Sequence, residues 1–225
     1  MAENNENKIN TEELKSEASN TVNQVKDTIK KVDIKKDSVE TKGFIVELFK
    51  NPLEKIKAVA EDTKGNYLKY AIIVLVIWVA AKFLSRCFSI GWHWRPYNIF
   101  DNIWSIGVAT ITPLLSVLVM VLIAFVLNKK NKKPLTTLIS AITIANIPTV
   151  VASVLSLLTI ISSQVSLITI PFTSLCSVIS IVLTYFALKN VFGEEKNSDF
   201  IRKFVLIETL YYVAYIVLSL LKIYI

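Results

Sequence analysis

The chain has 225 residues, of which 53% are hydrophobic and 19% charged, and its formal net charge is +7. A basic excess suits either nucleic acid or an anionic membrane surface. No basic helix with interleaved aromatic residues occurs outside the flanks of the long apolar runs. The composition therefore argues against nucleic-acid binding and favours a membrane as the partner.

The first 43 residues are polar, and their lysines and acidic residues nearly balance. This stretch lacks the basic segment and following apolar run of a secretory signal, so we expect a cytoplasmic tail. Between Leu14 and Val32 small apolar residues recur at spacings of three and four. The stripe is too narrow to hold a lone helix, which predicts a frayed helix or disorder. Residues 1–43 are thus interpreted as a largely disordered tail.

Residues 44–66 form a predicted amphipathic juxtamembrane segment. Gly43 breaks the preceding pattern, and Asn51 and Pro52 provide an N-cap and a first-turn proline for a new helix. Its apolar residues are Leu53, Ile56, Val59 and Ala60, with Lys55 and Lys57 elsewhere on the helix. Such a helix lies among headgroups, where anionic lipids attract its lysines, or packs on the ends of membrane helices. The sequence favours the headgroup interpretation.

Residues 67–225 are predicted to be an all-α, polytopic membrane domain, because long uncharged stretches alternate with short basic links. About 20 apolar residues cross the hydrocarbon core. The uncharged stretch Pro134–Leu188 is too long for one helix, so it folds back, with a hairpin at residues 162–164. The five predicted spans cover about 68–90, 103–127, 136–161, 165–188 and 204–222.

Basic residues concentrate on one side of these five spans: before the first, between the second and third, and between the fourth and fifth. By the positive-inside rule the N-terminus is cytoplasmic and the C-terminus exoplasmic. Lys82 and Arg86 lie near the far end of the first span, where long side chains snorkel to headgroups. The expected partners are the lipid bilayer, including anionic lipids, and proteins bound by the tail or bundle.

No catalytic, cofactor-binding or metal-ligating residue is predicted. HExxH and GxSxG motifs do not occur. The single histidine, His93, lies in an aromatic-rich loop that fits an interfacial aromatic belt or, alternatively, a ligand-binding loop. Cys87 and Cys176 stand apart and fit apolar packing.

Five positions are candidate sites because they place polar or helix-interrupting residues inside spans: Glu208, Asn146, Pro148, Pro113 and Pro171. An ionised side chain in hydrocarbon costs a few kcal/mol, about 3 on insertion scales. Glu208 is close to the cytoplasmic boundary, which favours packing or hydration over proton or substrate transfer. The prolines free backbone carbonyls, so these kinks either shape helix packing or line a substrate path.

The chain resembles the Yip (Ypt-interacting protein) domain family of five-span membrane proteins, over about residues 44–225. The resemblance rests on Phe49-Lys50-Asn51-Pro52 before the first span, on Asn146-Ile147-Pro148 ahead of the run Ser153–Leu158, and on Tyr185-Phe186-Ala187-Leu188-Lys189. Eukaryotic members engage small GTPases through their tails. This tail lacks their Asp-Leu-Tyr-Gly-Pro type of motif, so the GTPase role is not carried over. Abundant Asn, Lys and Ile indicate a bacterial-type member in a plasma membrane.

Two functions follow as hypotheses. The first is a non-enzymatic multi-pass membrane protein that organises the bilayer or scaffolds partners, as the resemblance implies. The second is a small transporter or permease component. Transporters commonly contain repeats and polar groups at the bilayer midplane, whereas here the number of spans is odd, no repeat is evident, and Asn146 is the clearest deep polar side chain.

Overall fold

The structure, a computed structural model, describes residues 11–92, 99–128, 133–160, 165–193 and 196–220. Within those ranges every regular element is a helix, which confirms the predicted all-α class. In chain order the elements are α1 (Thr11–Lys31), α2 (Ile34–Lys50), α3 (Pro52–Glu61), α4 (Leu68–Trp92), α5 (Ile99–Leu127), α6 (Leu135–Ala145), α7 (Ile147–Leu155), a short 3-10 helix (Ser156–Ile160), α8 (Ser166–Phe192) and α9 (Asn197–Leu220).

Four of the described helices, α4, α5, α8 and α9, are long and apolar enough to cross a membrane. A fifth crossing is present if the bent pair Leu135–Ala145 and Ile147–Thr159 counts as one span. Large apolar side chains stay exposed along these helices. On α5 they form one stripe at helical spacing, comprising Ile111, Leu114, Leu118, Leu122 and Val126. An apolar surface of this extent belongs against lipid, so the chain is an integral membrane protein.

Three predicted span boundaries differ from the structure by four residues or more. The second span begins earlier, at Ile99, the fourth ends later, at Phe192, and the last begins earlier, at Asn197. The third span is two helices bent by 45°, at the kink that the sequence predicts for Asn146 and Pro148. The physical reason is Pro148, which has no N–H to donate and whose ring clashes with the preceding turn. The predicted hairpin at residues 162–164 and the aromatic loop with His93 lie outside the described residues.

The core of the bundle surrounds α6. Every residue of α6 except Ile139 is buried. Helices α1, α3, α4, α5 and α8 pack on it, and α7, which follows it in the chain, also contacts it. By contrast α9 is peripheral, since it packs on α5 and α8 and only 6% of its most apolar stretch is buried. An apolar helix with so little surface buried against protein presents the rest of that surface to lipid.

Residues 11–31 and 34–50 are helical in the structure, where the sequence predicts a largely disordered tail up to residue 43. Helix α1 contacts α4 and α6, although apolar side chains such as Val22 and Ile29 remain exposed on it. Gly43 does not end a helix but lies inside α2. A glycine in a helix interior costs about 1 kcal/mol relative to alanine, which packing of the flanking Phe44 and Thr41 offsets, because both side chains are buried.

Candidate functional site

Helices α2 and α3, residues 34–61, form a cap on one end of the bundle. The cap buries one apolar face made by Phe44, Leu48, Ile56, Val59 and Ala60. Helix α2 packs on α4, and α3 packs on α6 and α8. The headgroup interpretation of the face Ile56–Ala60 is therefore wrong, because these side chains lie against protein.

Aromatic stacking and charge fix α2 to the start of α4. The Phe44 ring stacks on the Tyr70 ring, with centroids 4.8 Å apart and planes 3° from parallel. Next to it, the Lys69 Nζ lies 3.3 Å from the Asp37 carboxylate and 2.5 Å from that of Glu40. Two acids sharing one ammonium group make a small network, and networks contribute more than isolated surface pairs.

Hydrogen bonds fix the end of α3 to α6. The Lys133 ammonium group donates to the Ala60 carbonyl at 2.8 Å, and the Thr137 hydroxyl donates to the Asp62 carbonyl at 2.6 Å. The Asp62 carboxylate in turn accepts the backbone N–H groups of Lys64 and Tyr67 at 3.0 Å each. This Asx-type turn satisfies loop N–H groups and sets the angle between α3 and α4.

The bend between α2 and α3 is bridged by an ion pair between Lys55 and Glu47. The hydrogen bond from Lys55 lowers the pKa of the Glu47 carboxyl, and the same bond raises the pKa of the Lys55 amine. Asn51 precedes Pro52 as predicted, but its side chain makes no capping hydrogen bond. The Lys55–Glu47 ion pair thus links α2 and α3, whereas the predicted N-cap hydrogen bond of Asn51 is not formed.

The cap also carries four exposed apolar side chains, called the exposed stripe below: Val39, Val46 and Phe49, at helical spacing on one face of α2, and Leu53 in the first turn of α3. Their exposed fractions are 71%, 45%, 52% and 51%. The exposed Lys42 and Lys50 lie on the same side, since residues three, four and seven apart share a helix face. Sequence reasoning placed Leu53 on the same face as Ile56. In the structure Leu53 is exposed and Ile56 is buried. The burial of Phe44 and Leu48 marks the face of the cap that is covered by protein.

The helix break at Asn146 and Pro148 satisfies several of its backbone groups locally. The Asn146 amide donates to the Ile142 carbonyl at 2.9 Å. The Thr149 N–H and hydroxyl both donate to the Ser180 hydroxyl of α8, at 3.2 and 2.8 Å. The neighbouring helix therefore replaces part of the interrupted backbone ladder. Within the described part of the chain, the buried Thr143 hydroxyl and the Trp78 indole N–H have no hydrogen-bond partner.

The other candidate positions are spread over three helices. Pro113 is buried in α5, whereas Pro171 is exposed near the start of α8. Glu208 is half-buried on α9 and forms no ion pair with any described residue. Near it, the Tyr211 and Ser116 hydroxyl oxygens of α9 and α5 share a hydrogen bond of 2.5 Å. The structure thus brings Asn146 and Pro148 together, but it does not gather the five positions into one site.

A second polar cluster, which sequence reasoning treated only as snorkelling side chains, lies between α4 and α5. The Arg86 Nε donates to the Ser105 hydroxyl at 2.5 Å. Lys82 precedes Arg86 by one turn and is half-buried, and the Asn102 amide nitrogen is buried without a partner among the described residues. The spacing Lys82 to Arg86 was visible in the sequence, but the contact with α5 was not.

Among the described residues, no group of three or more His, Cys, Asp or Glu side chains is placed to hold a metal ion. Cys176 is buried and Cys87 half-buried, and both are free thiols. Comparisons with protein-family models, with curated proteins and with solved structures find no match to this chain.

Proposed function

We propose that the chain is a non-enzymatic multi-pass membrane protein that organises the bilayer, and that it does so with the exposed stripe of the cap. The observation that carries this proposal is the division of the cap into two faces. One face packs on the membrane helices, and the other presents Val46, Phe49 and Leu53 beside lysines. Because its other face is fixed to the bundle, the cap holds these apolar side chains close to the N-terminal end of α4, the first span.

The energies favour shallow insertion of the stripe. Full burial of a Val, Leu or Phe side chain contributes about 1.5–3 kcal/mol, and each lysine near an anionic surface adds about 1 kcal/mol. Glu47 and Glu54 offset part of the electrostatic gain. Because α4 already tethers the cap, its effective concentration at the bilayer is high, and little intrinsic affinity is required. Side chains buried about 5–10 Å into one leaflet widen its headgroup region.

A pair of labelled cysteines tests the insertion of the stripe. In a background with Cys87 and Cys176 replaced by alanine, Leu53→Cys carries an environment-sensitive fluorophore, and Glu54→Cys is the matched control. The two positions are adjacent on α3 but point about 100° apart. In nanodiscs containing phosphatidylglycerol we expect a blue-shifted emission from position 53, quenched by brominated acyl chains, and a water-like emission from position 54. Equal, water-like emission at both positions would refute bilayer organisation by the stripe and favour a protein-scaffolding role.

The proposed location is a bacterial plasma membrane, with the cap and N-terminus cytoplasmic and the C-terminus exoplasmic. The distribution of basic residues near the span ends supports this orientation. In the same cysteine-free background, we expect Ser163→Cys to react with an impermeant thiol reagent in intact cells, and Asn131→Cys to react only after lysis. Labelling of position 131 in unbroken cells would reverse the orientation.

A Yip-type membrane protein and a small transporter are the further interpretations. The order of the segments around Phe49, Asn146 and Tyr185 supports the first. The bent third span and the unpartnered Thr143 hydroxyl favour the second. We place the transporter after bilayer organisation because Ser180 and the Asn146 side chain already engage polar groups at the break.

A further inference from the structure

The end of α4 remote from the cap carries two cations on neighbouring turns, Lys82 and Arg86. Neither side chain is exposed. Arg86 is directed toward α5, because its Nε donates to the hydroxyl of Ser105, a residue of which only 7% is exposed. Snorkelling would direct the guanidinium group outward to the headgroups, whereas here it occupies the boundary between two helices.

No acid balances these charges within the described ranges. The ion pairs found there use Lys55, Lys57 and Lys69 as the cations, and none reaches Lys82 or Arg86. The acidic residue of the facing helix, α5, is Asp101, whose side chain is exposed and forms none of these ion pairs. Burying a charge without a partner is costly, and two like charges one turn apart repel each other. The cluster therefore favours binding of an anion.

The remaining polar groups of the cluster are mostly donors. Asn102 lies one turn from Ser105 on α5, and its buried Nδ2 has no acceptor among the described residues. A guanidinium group has five N–H donors, of which the bond to Ser105 uses one, and an ammonium group has three. Ser105 is the acceptor in this group and already receives the Arg86 Nε. An occupant that completes the cluster must accept several hydrogen bonds and carry negative charge, which a phosphate group does.

The height of the cluster in the membrane agrees with this chemistry. Arg86 lies 18 residues after Leu68, the first residue of α4, or about 27 Å along the helix at about 1.5 Å per residue. The hydrocarbon core is about 30 Å thick. With Leu68 at the cap-side edge of the hydrocarbon core, Arg86 therefore stands about 3 Å inside the opposite edge, where its long side chain reaches the phosphate layer, and Lys82 lies about 6 Å deeper. A lipid phosphate inserted between α4 and α5 would lie within reach of both.

We propose that Lys82, Arg86 and Asn102 form a binding site for a phosphate group, supplied by a phospholipid of the leaflet opposite the cap. The Arg86 guanidinium binds two phosphate oxygens as a planar fork, and Lys82 neutralises the charge from the deeper side. Ser105 orients the guanidinium, and Asn102 donates to one of the same two non-ester oxygens. The site does not depend on the proposed function of the cap, because it lies at the other end of α4.

Thermal stability of the delipidated full-length protein in a maltoside detergent tests the site. Three additions are compared: phosphatidylglycerol, a galactosyl diacylglycerol without phosphate, and inorganic phosphate. We expect phosphatidylglycerol to raise the melting temperature, the galactolipid to raise it less, and the Lys82→Gln/Arg86→Gln double variant to need at least tenfold more phosphatidylglycerol for the same rise. The matched control, Arg202→Gln, removes an exposed cation from α9 and should respond like the parent protein.

The outcomes separate the sources of the phosphate. A rise with inorganic phosphate alone that the double variant loses would support a phosphate site and assign it to the free ion. An equal rise with the galactolipid, or an unchanged response of the double variant, would overturn the site. Should the double variant fail to fold, Asn102→Ala replaces it, because it keeps both charges and removes one donor. Its expected loss is about threefold, and a response identical to that of the parent protein would also count against the proposal.

Discussion

Replacement of Ile56 by alanine is expected to release α3 from the bundle, whereas replacement of Leu53 by alanine is not. The two residues lie one turn apart on the same helix, and both lose most of an aliphatic side chain. Ile56 is 0% exposed and Leu53 is 51% exposed. Truncating a buried isoleucine costs about 2–5 kcal/mol through lost contacts and the cavity left behind, whereas an exposed position away from special features usually changes stability by about 0.5 kcal/mol or less.

Hydrogen exchange of the α3 amides in neutral detergent measures this difference. A loss of about 2–4 kcal/mol in the free energy of local opening corresponds to exchange about 30- to 700-fold faster, at about 1.4 kcal/mol per tenfold. Parent protein and Leu53→Ala should keep α3 protected without any lipid present. Unprotected α3 amides in the parent protein under these conditions would restore the headgroup interpretation, in which anionic lipid and not the bundle stabilises the helix.

Replacement of Phe200 by alanine is expected to destabilise the attachment of α9. This helix buries only Phe200 and Ile207. The Phe200 ring meets the rings of Tyr185, at 5.2 Å between centroids, and Phe192, at 5.8 Å, both on α8. Truncation of a buried phenylalanine costs about 3–5 kcal/mol, and three aromatic pairs are lost with it, the two with α8 and one with Phe204 of α9. The hydrogen bond between Ser116 and Tyr211 is then the main remaining polar link to α5.

Unfolding of the purified protein in mixed micelles with increasing dodecyl sulfate, followed by tryptophan fluorescence, tests this expectation. The control is Phe100→Ala, which removes the same side chain from a site where it is 88% exposed. Phe200→Ala should lower the transition midpoint clearly, while Phe100→Ala should leave it close to that of the parent protein. Equal midpoints for the two variants would mean that α9 is held by the bilayer and not by the aromatic contacts.

Local information was sufficient for the membrane-spanning helices, although not for α1 and α2. The length of an uncharged run decides whether a helix can cross the hydrocarbon core, and this length is a property of neighbouring residues. The break in the third span was also visible, because Pro148 lacks an N–H whatever its surroundings. The 45° angle of this break could not be predicted, because the packing of α7 against α8 and the bonds from Thr149 to Ser180 set the direction of the bend.

The tertiary structure alone decided which faces are covered. Periodicity shows that Leu53 and Ile56 are apolar positions of one helix, but not that Ile56 meets α6 and α8 while Leu53 stays exposed. The same holds for Arg86, whose direction depends on Ser105 of another helix. Burial and hydrogen bonding depend on residues that are distant in sequence, so the pattern along one helix cannot predict which of its faces is covered. The composition and length of a helix depend only on neighbouring residues, so the membrane spans could be predicted from them.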